Sequence, residues 1–139
     1  MKTIHINTSS KKYDIFVGNG ILKDSGSIIK SLNFSGKILI VTDDIVSELY
    51  LETVKKSLED SSFSICEVVL PHGEEHKNMD SIMRIYEALQ KNGLNRKSLI
   101  VALGGGVIGD MSGFAAATYL RGVNMSRYQP HFLHRSIRP

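Results

Sequence analysis

A glycine-rich run over residues 104–110, Gly-Gly-Gly-Val-Ile-Gly-Asp, carries the strongest chemical signal in the sequence. It lies between an apolar strand pattern and a helix pattern of small residues. Glycines allow the backbone to turn with positive φ and let a ligand approach closely. The free amide groups at the start of the helix then favour a phosphate or pyrophosphate. The spacing differs from the GxGxxG fingerprint, and a tight turn in a crowded core is the alternative interpretation.

A charged loop over residues 71–77, Pro-His-Gly-Glu-Glu-His-Lys, follows another strand pattern. Because ligands bind beyond the carboxyl ends of strands in doubly wound sheets, this loop and the glycine-rich run should project from the same edge. Glu74 can accept hydrogen bonds from ribose hydroxyls, and Lys77 can neutralise a phosphate. The alternative is a solvated surface loop. His72 and His76 make a poor metal site, since the loop includes a lysine and lacks a fixed helical face.

Asp43 and Asp44 end a third strand pattern, Lys37–Thr42, where an acid commonly meets an adenosine ribose. A helix N-cap is the alternative role for such a residue, and it is the role expected of Asp44.

The hydrophobic periodicity indicates an α/β domain with a largely parallel sheet. The predicted strands are Thr3–Asn7, Tyr13–Val17, Lys37–Thr42, Ser64–Leu70 and Ser98–Leu103, and the predicted helices are Ile45–Leu58, Asp80–Asn92 and Val107–Leu120. The first two strands are expected to form a hairpin. The last helix is apolar nearly all round, which predicts an exposed hydrophobic patch in this chain.

Composition places the chain among globular proteins, with 139 residues, 42% hydrophobic and 22% charged. No apolar run reaches the length of a membrane helix and the start lacks a signal-peptide pattern, so a cytoplasmic protein without a membrane partner is expected. The net charge of +3 comes from the segment 126–139, which contains three arginines and no acid. A nucleic-acid-binding function would rest on this tail alone.

Three motifs in order resemble the N-terminal domain of the 3-dehydroquinate synthase family, within the sugar-phosphate cyclases. They are Ile-Val-Thr-Asp at 40–43, Pro-x-Gly-Glu-x-x-Lys at 71–77, and the long block 102–123. The resemblance covers residues 1–124 and implies a Rossmann-like nucleotide-binding domain. It implies NAD contacts at Asp43, Glu74, Lys77, Gly105, Gly106, Val107 and Asp110, and a substrate contact at Arg121.

The family resemblance also implies a reaction, in which 3-deoxy-D-arabino-heptulosonate 7-phosphate is converted to 3-dehydroquinate and phosphate in the shikimate pathway. This lyase uses NAD and a divalent metal, zinc or cobalt. The metal ligands belong to a C-terminal helical domain that lies beyond this chain, so no catalytic or metal-binding residue is assigned here. The chain is expected to be an inactive fragment with weak NAD affinity, and the full-length protein a homodimer acting on a phosphorylated sugar acid.

Residues 125–139 depart from the family, and we interpret them as an out-of-frame, unstructured tail. The segment Arg127–Pro139 can be encoded so that the same bases, beginning at the third base of the Arg127 codon, give Ile-Pro-Thr-Thr-Leu-Leu-Ala-Gln-Val-Asp-Thr-Ser. The family continues with nearly this sequence after the position of Val123. A nucleotide lost near Met125 accounts for both facts.

Three other functions remain open from the sequence. The chain could be a stand-alone NAD-binding module without catalysis, or a fragment of another sugar-phosphate cyclase. The third, a basic RNA-binding protein, depends only on the arginines of the tail.

Overall fold

A computed structural model describes residues 2–9, 12–18, 20–129 and 133–137. These residues form a seven-stranded sheet in the order β1-β2-β7-β6-β5-β3-β4. The strands are β1 (Lys2–Asn7), β2 (Lys12–Val17), β3 (Ile38–Asp43), β4 (Ile65–Leu70), β5 (Leu99–Leu103), β6 (Asn124–Gln129) and β7 (Leu133–Ile137). The α-helices are α1 (Ser25–Ser31), α2 (Asp44–Val46), α3 (Glu52–Asp60), α4 (Met79–Lys91) and α5 (Gly106–Thr118). The predicted α/β class is confirmed.

The central strands β3 and β5 are buried on both faces, as their continuous apolar sequences predict. Alternate residues of β3 enter different clusters. Leu39 and Val41 pack with α4 and α5, whereas Ile38 and Ile40 pack with α1 and α3. The parallel strands β4, β3, β5 and β6 therefore form the middle layer between two layers of helices. This arrangement brings the carboxyl ends of β3, β4 and β5 to one edge.

The predicted N-terminal hairpin is confirmed. Strands β1 and β2 pair in antiparallel register, with Lys2 opposite Val17 and Asn7 opposite Lys12. The hairpin joins the sheet through β7, which pairs antiparallel to β2 and to β6.

The helical region after β3 differs from the predicted continuous helix Ile45–Leu58. It begins with the short α2, widens into a π-helical turn over Ser47–Leu51 and continues as α3. The sequence analysis assigned no element to 21–31, where the structure has a 3-10 turn and α1. Gly26 lets α1 approach α3 closely, because a Cβ there would lie 2.2 Å from the Ser57 carbonyl oxygen.

The prediction of an unstructured tail is wrong for the described part of residues 125–139. Strand β6 extends the sheet in parallel beside β5, with Ile100 opposite Met125, and β7 follows as its antiparallel neighbour. Met125, Ser126 and Tyr128 are buried. The edge of β5 offers backbone hydrogen-bonding groups to any extended segment, so strand formation here does not require the family's sequence. The out-of-frame origin of the segment stays a prediction.

Candidate functional site

The glycine-rich turn leads from β5 into α5 at the carboxyl edge of the sheet. Gly104 packs tightly, since a Cβ there would lie 3.0 Å from Ile108. Gly105 and Gly106 are exposed, and a Cβ on either would meet no atom within 4 Å. Gly105 is the N-cap of α5 and provides no side-chain cap, so the first amide groups of the helix have no such acceptor. This open turn fits an anionic ligand such as a pyrophosphate.

The charged loop after β4 reaches the first turn of α5. Lys77 Nζ donates a hydrogen bond to Asp110 Oδ2 at 3.0 Å. The hydrogen bond and charge of Asp110 raise the pKa of the Lys77 ammonium, and the charge of Glu74 adds to this effect. Glu74 is exposed in a 3-10 turn over Glu74–His76. The structure thus brings together the two regions that the sequence singled out independently.

At the end of β3 one of the two aspartates caps the following helix. The sequence predicts Asp44 as the N-cap, but the cap is Asp43, whose Oδ1 accepts hydrogen bonds from the backbone N–H groups of Ile45 at 3.0 Å and Val46 at 2.8 Å. Asp43 has extended backbone geometry, as a cap requires, whereas Asp44 already lies in the helix.

Asp44 instead binds the loop after β4. Its Oδ1 accepts a hydrogen bond from the backbone N–H of His72 at 2.9 Å, and His72 Nδ1 lies 2.9 Å from Oδ1 and 3.1 Å from Oδ2. The hydrogen bond to Asp44 raises the pKa of His72, and the same hydrogen bond lowers the pKa of Asp44. His72 therefore has a structural partner, the Asp44 carboxylate, which directly follows the neighbouring strand β3.

Val107 and Arg127 complete the surroundings of the turn. Val107 is partly buried and packs against the hydrophobic cluster beside α4 and α5. The Arg127 guanidinium fills the space above Gly109, with Nη2 3.5 Å from the Gly106 carbonyl oxygen and 3.8 Å from Asp110 Oδ1. Sequence analysis assigned no function to Arg127. Only the pairing of β6 with β5, which sets Ala102 opposite Arg127, reveals its position.

Arg121 lies far from this group of residues. It follows α5, which has 13 residues and is therefore about 20 Å long, at the end opposite the glycine-rich turn. Arg121 and its neighbour Leu120 have positive φ values of 66° and 47°, and both side chains are exposed. The structure does not bring Arg121 to the predicted NAD contacts, and its substrate role stays a prediction.

Across residues 2–9, 12–18, 20–129 and 133–137, no three His, Cys, Asp or Glu side chains group closely enough to hold a metal ion. In the same part of the chain, every helix is too short or too polar to cross a membrane.

The chain is similar to several known proteins. Residues 67–134 match the family described as 3-dehydroquinate synthase N-terminal. The 3-dehydroquinate synthase of Halalkalibacterium halodurans is 51% identical over 123 residues, which are 88% of this chain and 34% of that protein. The chain thus spans about a third of the length of the curated relatives it matches.

Two solved structures share the fold. One is 2-deoxy-scyllo-inosose synthase complexed with carbaglucose-6-phosphate, NAD+ and Co2+, with a TM-score of 0.80, 21% identity, and coverage of 92% of this chain and 35% of that one. The other is 2-epi-5-epi-valiolone synthase from Streptomyces hygroscopicus with NAD+ and Zn2+ bound, with a TM-score of 0.64, 29% identity, and coverage of 70% and 28%. The chain is thus similar to 3-dehydroquinate synthases over 88% of its length, and residues 67–134 match the N-terminal model of that family.

Proposed function

We propose that this chain is the NAD-binding part of a 3-dehydroquinate synthase. The observation that carries the proposal is the 3.0 Å contact between Lys77 and Asp110, which joins the charged loop to the open glycine-rich turn. A strand end, a polar loop and a helix start at one sheet edge form the usual surroundings of a dinucleotide in α/β proteins. The NAD bound by the solved relative at 29% identity supports this assignment.

Each predicted cofactor contact has a role that its position supports. A Cβ on Gly105 or Gly106 would meet no atom within 4 Å, so a pyrophosphate can approach the backbone of this turn closely, next to Val107. Asp43 uses Oδ1 to cap α2, so we assign its Oδ2 to a ribose hydroxyl. Glu74 serves as a second ribose acceptor.

The paired Lys77 and Asp110 place one positive and one negative charge beside the turn. Lys77 is 39% exposed and can turn from Asp110 toward a phosphate. Until then, Asp110 holds the ammonium close to the start of α5, next to the pyrophosphate position. Arg127 adds a second cation within 3.8 Å of Asp110.

In the proposed reaction, 3-deoxy-D-arabino-heptulosonate 7-phosphate is converted to 3-dehydroquinate and phosphate, and NAD, when bound, would supply the hydride acceptor and donor. This chain's residues bind and orient the cofactor, and Arg121 is the proposed contact to the phosphorylated sugar acid. The described residues contain no group suited to zinc or cobalt, so no metal-dependent step is assigned to them. By relation to the family we place the full-length lyase in the cytoplasm as a homodimer without nucleic-acid or membrane partners.

A stand-alone NAD-binding module is the second candidate, and one observation favours it. Strands β6 and β7 lie within the sheet and connect the parallel strands to the N-terminal hairpin. The tail therefore contributes to the fold of the chain as written, which a non-catalytic module would require.

Ligand-observed saturation-transfer NMR tests the cofactor site, because this method detects weak binding. The chain should give a signal for NAD, and Lys77→Met should reduce it, since the variant loses the ammonium beside the pyrophosphate position. Lys97→Met is the matched control, because Lys97 is an exposed lysine in the loop before β5. Equal NAD signals from the two variants would contradict the assignment of Lys77, and no signal from the folded parent chain would contradict the proposed function.

A further inference from the structure

The loop over residues 71–77 is fastened at both ends to different elements. At its start, His72 makes a backbone and a side-chain contact with the Asp44 carboxylate, 28 residues earlier in the chain. At its end, Lys77 donates to Asp110 of α5. The loop therefore crosses the carboxyl edge of the sheet between two charged attachments, and Glu74 lies between them.

A glycine with left-handed geometry separates the first attachment from Glu74. Gly73 has φ of 103°, and a Cβ there would lie 2.6 Å from the Glu75 carboxylate. Beyond it, the backbone N–H groups of His76 and Lys77 donate to the carbonyl oxygens of Gly73 and Glu74 at 3.1 and 3.0 Å. These two hydrogen bonds close the short turn that carries Glu74, and the His72 attachment fixes where this turn starts.

We propose that His72 is a positioning residue, which ties the loop 71–77 to the end of β3 and thereby holds Glu74 and Lys77 in the cofactor site. The inference rests on the proposed NAD site, which it deepens by adding a residue that acts through others. The backbone N–H of His72 donates to Asp44 at any pH, whereas the ring contributes a full ion pair only when it is protonated.

The charges around His72 are acidic, and they set the direction of its pH dependence. Asp44 and Asp43 lie at the end of β3, and Glu75 lies in the loop itself; all three raise the pKa of His72, with Asp44 dominant. A raised pKa means that the ion pair is complete below the ordinary value of 6.5 and weakens as the pH rises through the folded value. Both side chains of the ion pair are about half exposed. Losing the ion pair should therefore lower the protection of the loop amides from hydrogen exchange by about two- to fivefold.

Millisecond hydrogen–deuterium exchange tests the attachment without cofactor. The reporters are the amides of His76 and Lys77, whose hydrogen bonds close the turn. After correction for intrinsic exchange, their protection in the parent chain should fall about two- to fivefold between pH 5.5 and 9. Asp44→Asn should lower protection at pH 5.5 and flatten the profile. His72→Arg should keep protection at its pH 5.5 level at every pH, because arginine keeps its charge. His76→Gln is the control within the same loop.

The same variants are then measured for NAD affinity by saturation-transfer NMR. Affinity should follow loop protection, falling in Asp44→Asn and becoming independent of pH in His72→Arg. Unchanged protection in Asp44→Asn would overturn the attachment itself. Protection that changes while NAD affinity stays constant would overturn the positioning role. If protection changed as expected but neither the parent chain nor any variant bound NAD, the proposed function and the cofactor part of this proposal would be overturned. The exchange data would still show the attachment.

Discussion

Replacing Tyr128 by alanine tests whether β6 is part of the folded core. Tyr128 is fully buried in the cluster between the sheet and α1 and α3, and burial raises the pKa of its hydroxyl. Truncating a buried aromatic side chain to alanine costs about 3–5 kcal/mol. A domain of this size has a free energy of unfolding of roughly 5–15 kcal/mol, so Tyr128→Ala should remove a large share of it. The midpoint of thermal unfolding should fall by roughly 6–20 °C.

The measurement is equilibrium unfolding in urea, followed by circular dichroism, with the thermal midpoint as a second readout. Tyr128→Phe is the matched variant, since it keeps the ring and should retain most of the stability. Ala117→Ser, on the exposed side of α5, controls for surface substitution. If Tyr128→Ala changed the free energy of unfolding by less than about 0.5 kcal/mol, as a surface change does, β6 would not be part of the folded core.

Three further predictions concern packing, turnover and association. Gly26→Ala should destabilise the chain by about 1–3 kcal/mol despite the higher helix propensity of alanine, because the Ser57 carbonyl oxygen cannot move away as a flexible side chain would. Urea unfolding measures the change in the free energy of unfolding, and parent-like stability would contradict the close approach of α1 and α3. The chain supplied with NAD, zinc and substrate should release no phosphate above a no-protein control, and measurable turnover would contradict the expectation that this chain alone is inactive. Phe114 and Leu120 are 49% and 51% exposed, so the chain should associate with itself, as measured by light scattering. Phe114→Lys should reduce that association, whereas a monodisperse parent chain would show that these exposed apolar side chains do not cause it.

The sequence was sufficient where one residue pattern determines the outcome. The apolar runs of β3 and β5 predict strands buried on both faces, because a strand with no polar side can lie only inside a sheet. The glycine-rich turn and the charged loop were predicted to share an edge, since parallel strands have their carboxyl ends together. Both predictions need only local patterns and one rule of topology.

The rest depended on pairings between distant residues. The position of Arg127 beside Gly109 follows from the register of β6, which no local pattern shows. The roles of Asp43 and Asp44 depend on a contact to His72 across 28 residues. The helix α1 was missed because its apolar residues, Ile28 and Ile29, span only one turn and give no periodicity to detect.

The place of the N-terminal hairpin in the sheet has a consequence for the order of folding. Within the described strands, the hairpin borders the rest of the sheet at β7, where Ile15 lies opposite Arg135, 120 residues later in the chain. During synthesis, β1 and β2 leave the ribosome well before β7 but can join this sheet only after β7 has emerged. Closing so long a loop slows folding, because its entropy is lost before the contact stabilises anything. Strands β3, β4 and β5 with their helices should therefore assemble first. Until it docks, the hairpin has exposed strand edges that can pair with other chains.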